Sequence, residues 1–234
     1  MRWVIALSLL AACAACDRRD PPADQLVQKA EEIVEPAAAE PQPMGTGRFA
    51  PRDECPKVEG AAAFRSRLAA AVRERDDEAL VALAADDIKL DFGDGAGSAE
   101  LRRRLADPNW RLWDELEKLL ALGCAANAQG GITIPWIADQ EMPVARPDAA
   151  MLVTGENVPV HSAPDAAAPQ IGTVSWDVVV IDTLRPGEPF QQVALPDGNL
   201  GFIATDALRS LLDYRLTASS RNGKWSITSF LAGD

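Results

Sequence analysis

Few residues in this chain have side chains suited to chemistry. His161 is the only histidine in 234 residues, so the commonest general base and metal ligand is missing from almost every catalytic arrangement one could draw. No Gly-rich phosphate loop and no G-x-S-x-G elbow is present either. The expectation is a non-catalytic, cofactor-free protein, with His161 in a loop and no proton to move. Asp86, Asp87, Asp91 and Asp94 gather near Gly93 and Gly95, as calcium loops do. They lack the D-x-D-x-D-G order and the distant bidentate Glu, so a solvated cap and turn is expected there instead of a metal. Arg102-Arg103-Arg104 is the densest positive run. Three successive residues fan around most of a helix, so they cannot all face one anion, and a solvated face is expected. Trp176, Phe190 and Phe202 remain, as aromatics that either line a groove for an extended ligand or fill a core.

The bulk numbers narrow the classes further. Lys plus Arg total 23 against 35 Asp plus Glu, a net charge of −12 that repels nucleic-acid phosphates. Residues 17 to about 52 scatter Pro21, Pro22, Pro36, Pro41, Pro43 and Pro51 among Ala, Glu and Gln, which leaves little to bury against the entropy of ordering. That stretch reads as a disordered spacer over 13–52, with at most a short helix between Asp24 and Glu35.

The N-terminus indicates a compartment. Arg2 precedes the apolar run Trp3 to Leu10, too short to span a bilayer and of the length of a signal-peptide core. Leu10-Ala11-Ala12-Cys13 resembles the lipobox of bacterial lipoproteins, which implies a signal peptide over 1–12 and a lipid on Cys13. Cys16 after Ala14-Ala15 is a second candidate, and a plain secretory peptide is the alternative. The protein is then exported and held to a membrane by lipid, on the periplasmic side of the envelope. With Cys13 so used, Cys55 and Cys124 are the pair left in the folded part, and an oxidising envelope favours a disulfide between them, a free buried thiol at Cys124 being the alternative.

Elements that would position these residues follow from periodicity. Phe64, Leu68 and Val72 mark one helix; Asp76 or Asp77 caps a second carrying Leu80, Val81, Leu83 and Ala84. Ile88 to Phe92 alternates as a strand, Ser98 caps a helix with Leu101 and Leu105, and Asn109 opens another with Leu112, Trp113, Leu116, Leu119 and Leu120. Ile132, Ile134 and Trp136 read as one face of a further strand. Residues 53–142 thus form an α+β domain, and its helix, helix, strand, helix order is similar, at the level of fold, to the cone-shaped nuclear transport factor two-like family.

After Pro147 the chain turns to β. Val153 to Pro164, Ile171-Gly172-Thr173-Val174, Val178 to Ile181, Phe190 to Val193 and Asp197 to Ala204 together resemble the bacterial SH3-like (SH3b) family over 150–212. Phe202 stands where that family usually has Trp, and Pro159-Val160-His161 where an Arg often follows the opening Asn-Val. The resemblance implies an all-β small barrel. Short strands separated by Pro164-Asp165, Pro186-Gly187 and Asp197-Gly198 read the same way without it. Asn222-Gly223 between alternating runs is a type I′ hairpin signal within 213–234. A lone hairpin is barely stable, so it is expected to return to the α+β domain, making the barrel an insertion.

The function expected from these parts is docking, by an SH3-like module on a lipid-anchored envelope protein, to cell-wall glycan or peptide or to an envelope protein, with no nucleic acid. The alternatives are a small-molecule or enzymatic pocket in the α+β domain, or a purely structural assembly role.

Overall fold

Asn222 and Gly223 take φ values of 53° and 76°, the positive pair that a type I′ turn needs, and they join β11 (Arg215–Arg221) to β12 (Lys224–Leu231). This hairpin is the middle of a sheet. The computed structural model describes residues 41–142 and 144–233. The signal peptide, Cys13, Cys16, the 24–35 helix and most of the spacer lie outside the described residues. Within them the chain is mixed α+β, with four α-helices and twelve strands in two sheets.

The first sheet runs β1 (Ala84–Lys89), β12, β11, β3 (Ile132–Ile134), β2 (Ala125–Ala126). β1 lies parallel to β12, and β11 pairs antiparallel with both β12 and β3. The strands therefore come from both sides of the 150–210 segment. Four helices cover one face: α1 (Ala61–Glu74), α2 (Asp77–Ala82), α3 (Ser98–Ala106) and α4 (Leu112–Leu120). Phe64 and Leu68 of α1 and Leu116 and Leu119 of α4 meet Ile132, Leu216 and Ile227 in one apolar core. Gly60 caps α1 at φ 77°, and a Cβ there would lie 2.7 Å from the Trp225 indole nitrogen, which donates to Glu59 O at 3.1 Å. Only glycine allows that approach.

Several boundaries differ from the periodicity. α2 stops at Ala82 because the Ile227 amide donates to Leu83 O and draws Ala84 into the sheet. β1 ends at Lys89, leaving Phe92 exposed. Gly97 and Arg111 hold the N-cap positions expected of Ser98 and Asn109, and Asn109 bonds back to Asp107. β3 ends before Pro135, so Trp136 sits in a 3-10 turn instead of on a strand face.

The second sheet runs β10 (Leu208–Ser210), β4 (Ala150–Val153), β7 (Val178–Val180), β8 (Phe190–Ala194), β9 (Leu200–Ala204), β5 (Val158–His161), β6 (Gln170–Val174). Its inner residues, among them Val153, Val160, Val179, Val193 and Ile203, form a second core. The expected closed barrel is not formed: β10 and β6 are left as edges. β10 also carries buried Arg209, which meets Asp213 at 3.1 Å, Tyr214 O at 2.9 Å and Glu115 of α4 at 3.8 Å. A third apolar cluster of Phe49, Ala125, Trp136, Ile137 and Leu152 joins the two sheets. Residues 49–51, inside the stretch read as spacer, are packed: Phe49 is buried and its amide donates to Trp176 O at 2.7 Å. An apolar Phe outweighs the surrounding polar composition here. No helix of the described residues is long and apolar enough to cross a membrane.

Candidate functional site

Alternation along β8 and β9 sends Val193 and Ile203 inward and leaves Phe190, Gln192, Leu200 and Phe202 on the outer face. Gln192 stands opposite Phe202 and Ala194 opposite Leu200, so these side chains form adjacent rows. With the β7–β8 loop they bound a groove of about 630 Å³. Leu200 is 61% exposed and Val180 39%, apolar surface that folding has not covered. Phe190 and Phe202 are thus brought together on one groove.

Trp176 is not with them. It takes φ 43°, its carbonyl receives the Phe49 amide, and its ring packs on the cluster that joins the sheets. Gly45 and Gly47 lie against it so closely that a Cβ at Gly47 would come within 2.8 Å of the Trp176 Cβ. Trp176 anchors the leading segment.

His161 lies at the end of β5 instead of in a loop, and it is buried. Its Nδ1 is 3.0 Å from Ala168 O, and since a carbonyl only accepts, Nδ1 carries the hydrogen. The ring stands edge-on to Phe190 at 5.7 Å and so supports one groove wall.

The charged frame of the groove was not legible beforehand. Arg185, Asp182 and Glu188 come from the β7–β8 loop and Arg146 from the segment before β4. Arg146 is paired with Asp148 at 3.0 Å. Gln191 occupies an inward position of β8, and a polar residue in that register is the one sequence signal that marked this loop. Its Oε1 accepts the Arg185 amide at 3.0 Å, and its Nε2 donates to Arg185 O at 2.7 Å and Thr205 Oγ1 at 2.9 Å.

Of the other features that chemistry singled out, Asp86, Asp87 and Asp94 are exposed, whereas Asp91, the cysteines and the three arginines are internally consumed. Asp91 Oδ1 accepts from the Gly93 and Gly95 amides, and its Oδ2 meets Arg104 at 2.5 Å. Among the described residues the one convergent set of potential metal ligands is Asp53, Cys55 and Cys124, and both cysteines are spent in a disulfide. Arg102 pairs with Asp77 and Glu78, and Arg103 with Glu100. Arg104 is only 5% exposed: it contacts Glu100 and Asp91, donates to Leu90 O at 2.8 Å, and lies over the Trp110 ring at 4.3 Å. The space between helices and first sheet is filled by Phe64, Leu68, Leu116 and Leu216, and the α+β domain has cavities of about 290 Å³ beside Asp53 and Arg65 and about 330 Å³ beside Arg111 and Trp113.

One pH prediction arises here. Hydrogen bonds from Arg103 and then Arg104 lower the Glu100 carboxyl to about 2, and the Arg104 hydrogen bond first, then the Gly95 amide, lowers Asp91 as well. A carboxyl depressed in the fold stabilises it above its unfolded value of 4.5 and loses that contribution as pH falls toward 2. Thermal melts should show Glu100→Gln costing stability at pH 7 and progressively less between pH 4.5 and 2. An equal difference at both ends would refute the linkage.

Comparison of this chain with family models, with curated proteins and with solved structures finds no match to any of them.

Proposed function

We propose that this chain is a non-catalytic docking protein of a bacterial cell envelope, held to a membrane by lipid on Cys13. Its 150–210 sheet is an SH3-like module, inserted ahead of the hairpin, that binds cell-wall material or an envelope protein. The observation that carries this reading is the groove on β8 and β9, which Phe190, Phe202 and the exposed Leu200 line together with residues of the β7–β8 loop. Aromatic side chains with few rotatable bonds, set in a groove on a rigid sheet, are efficient ligand anchors. The order of strand and turn motifs, and Leu10-Ala11-Ala12-Cys13, support the module and the anchor.

Pelleting of the full chain with purified peptidoglycan, and cross-linking in intact cells, test the docking. Phe202 is partly buried on the outer face, so Phe202→Ser should lower the melting temperature modestly and keep a cooperative melt, while weakening capture by roughly tenfold or more, the effect of losing an interface anchor. Capture unchanged in both assays would remove the groove from the function. Cys13→Ser should leave an unprocessed form that no longer fractionates with membranes; normal processing would move the site to Cys16 or remove the anchor.

A further inference from the structure

The β7–β8 loop does more than border the groove, because a buried side chain is devoted to holding it. Gln191 is 3% exposed, and both ends of its amide are bonded to the Arg185 backbone. Its remaining N–H bond reaches Thr205 Oγ1, which itself donates to Glu188 O at 2.5 Å. The Glu188 amide closes the turn on Arg185 O at 2.9 Å, and the Thr205 amide donates to Pro189 O at 2.9 Å. A fully satisfied buried amide is a rigid fixture, and this one fixes the backbone of an exposed turn whose side chains line the groove. Arg185 makes no ion pair among the described residues, nor do Asp182 and Glu188, although all three border the same space. The clamped turn thus carries exposed charges of both signs, without ion-pair partners among the described residues, beside Phe190, Leu200 and Phe202.

We propose that the groove takes a segment of a partner polypeptide in which an acidic side chain, received by Arg185, and a basic side chain, received by Asp182 and Glu188, flank an apolar one seated on Phe190, Phe202 and Leu200. Gln191 is the positioning residue for Arg185. The proposal rests on the groove being a docking site and goes further by choosing polypeptide over glycan. Charge complementarity makes the choice: neighbouring side chains of one peptide supply both signs around an apolar group, which a neutral sugar ring does not. A turn backbone already held in place lowers the ordering cost of binding to that of the exposed side chains, and a guanidinium pairs with a carboxylate through two parallel bonds.

The test is selection of a random heptapeptide library displayed on phage against the immobilised full chain. Enriched peptides should carry an acidic and a basic residue around an apolar one. Arg185→Glu, at an exposed position, should recover those clones about tenfold less well, and a fresh selection on it should replace the acidic residue by Lys or Arg. Gln191→Leu, with Thr205→Ala as a milder second variant, should keep the apolar preference and lose the acidic one. Enriched peptides without an acidic residue, or equal recovery on Arg185→Glu, would overturn the proposal. No enrichment alongside Phe202-dependent capture by peptidoglycan would overturn it while leaving the docking role intact; absence of both would remove that role too.

Discussion

A chain ending at Leu212 is expected to lose its helical circular dichroism and its cooperative melt together. β12 separates β1 from β11, and β11 separates β12 from β3, so the deletion removes the two central strands of the first sheet. β1 and the short β2–β3 pair are left with no partner between them. Leu216, Trp225, Ile227, Phe230 and Leu231 are all buried, and the Trp225 ring stacks on Phe64 of α1 at 5.6 Å. Each large side chain is worth about 1.5 to 3 kcal/mol when buried, so the five together amount to about 10 kcal/mol, comparable with the whole stability of a domain. The helices cannot compensate, because isolated helices of 6 to 14 residues are marginal in water. A truncated chain that kept its helical signal and melted at the parental temperature would show that the helices stand on something other than this sheet. The 150–212 segment cut out alone would in turn expose Leu152 and Trp176, which pack on Trp136 and Ile137 in the intact chain.

What could be read from the residues beforehand divides by the range of the force involved. The Asn222-Gly223 turn was legible because positive φ is a local requirement that few residues meet. The helices of α1 and α4 were legible from Phe64, Leu68 and Val72 and from Leu112, Leu116 and Leu119, since burial repeats with the helical period. Ala84 follows Leu80, Val81 and Leu83 in the apolar run and so reads as helix; a parallel strand 143 residues further on draws it into the sheet, and nothing near Ala84 announces it. Trp136 and Trp176 read as a strand residue and a groove residue, and both are instead at the contact between sheets, Trp136 buried in it and Trp176 packed against it. The open second sheet was not legible either, since its strand order joins segments far apart in the chain. At the groove, Phe190 and Phe202 stood out in the sequence only as aromatics of a groove or a core, and Arg185, Asp182 and Glu188 did not stand out at all, because whether a charge is paired is a tertiary fact.

Removing the cross-link between Cys55 and Cys124 is expected to have the second-largest effect. The bond joins residues 69 apart, with Cα atoms 5.7 Å from each other. In the chain-entropy account a loop of that length restricts the unfolded state by about 4 kcal/mol. Native contacts around the bridge are already made without it: the Glu54 amide donates to Cys124 O at 2.7 Å, the Cys124 amide donates to Arg52 O at 2.8 Å, and Arg65 pairs with Asp53. The double variant Cys55→Ala, Cys124→Ala should therefore fold to the same structure and melt roughly 8 to 16 °C lower, given about 2 to 4 °C per kcal/mol in a domain of this size. Both sulfurs are buried, so reductant added to the native protein should act slowly and act fully only once denaturant opens the first core. Non-reducing peptide mapping of protein taken from cells should recover the two cysteine peptides joined. A double variant melting within a degree or two of the parent would mean that the unfolded chain is already confined around this loop, and the stability of the helical layer would then have to come from the hairpin strands alone.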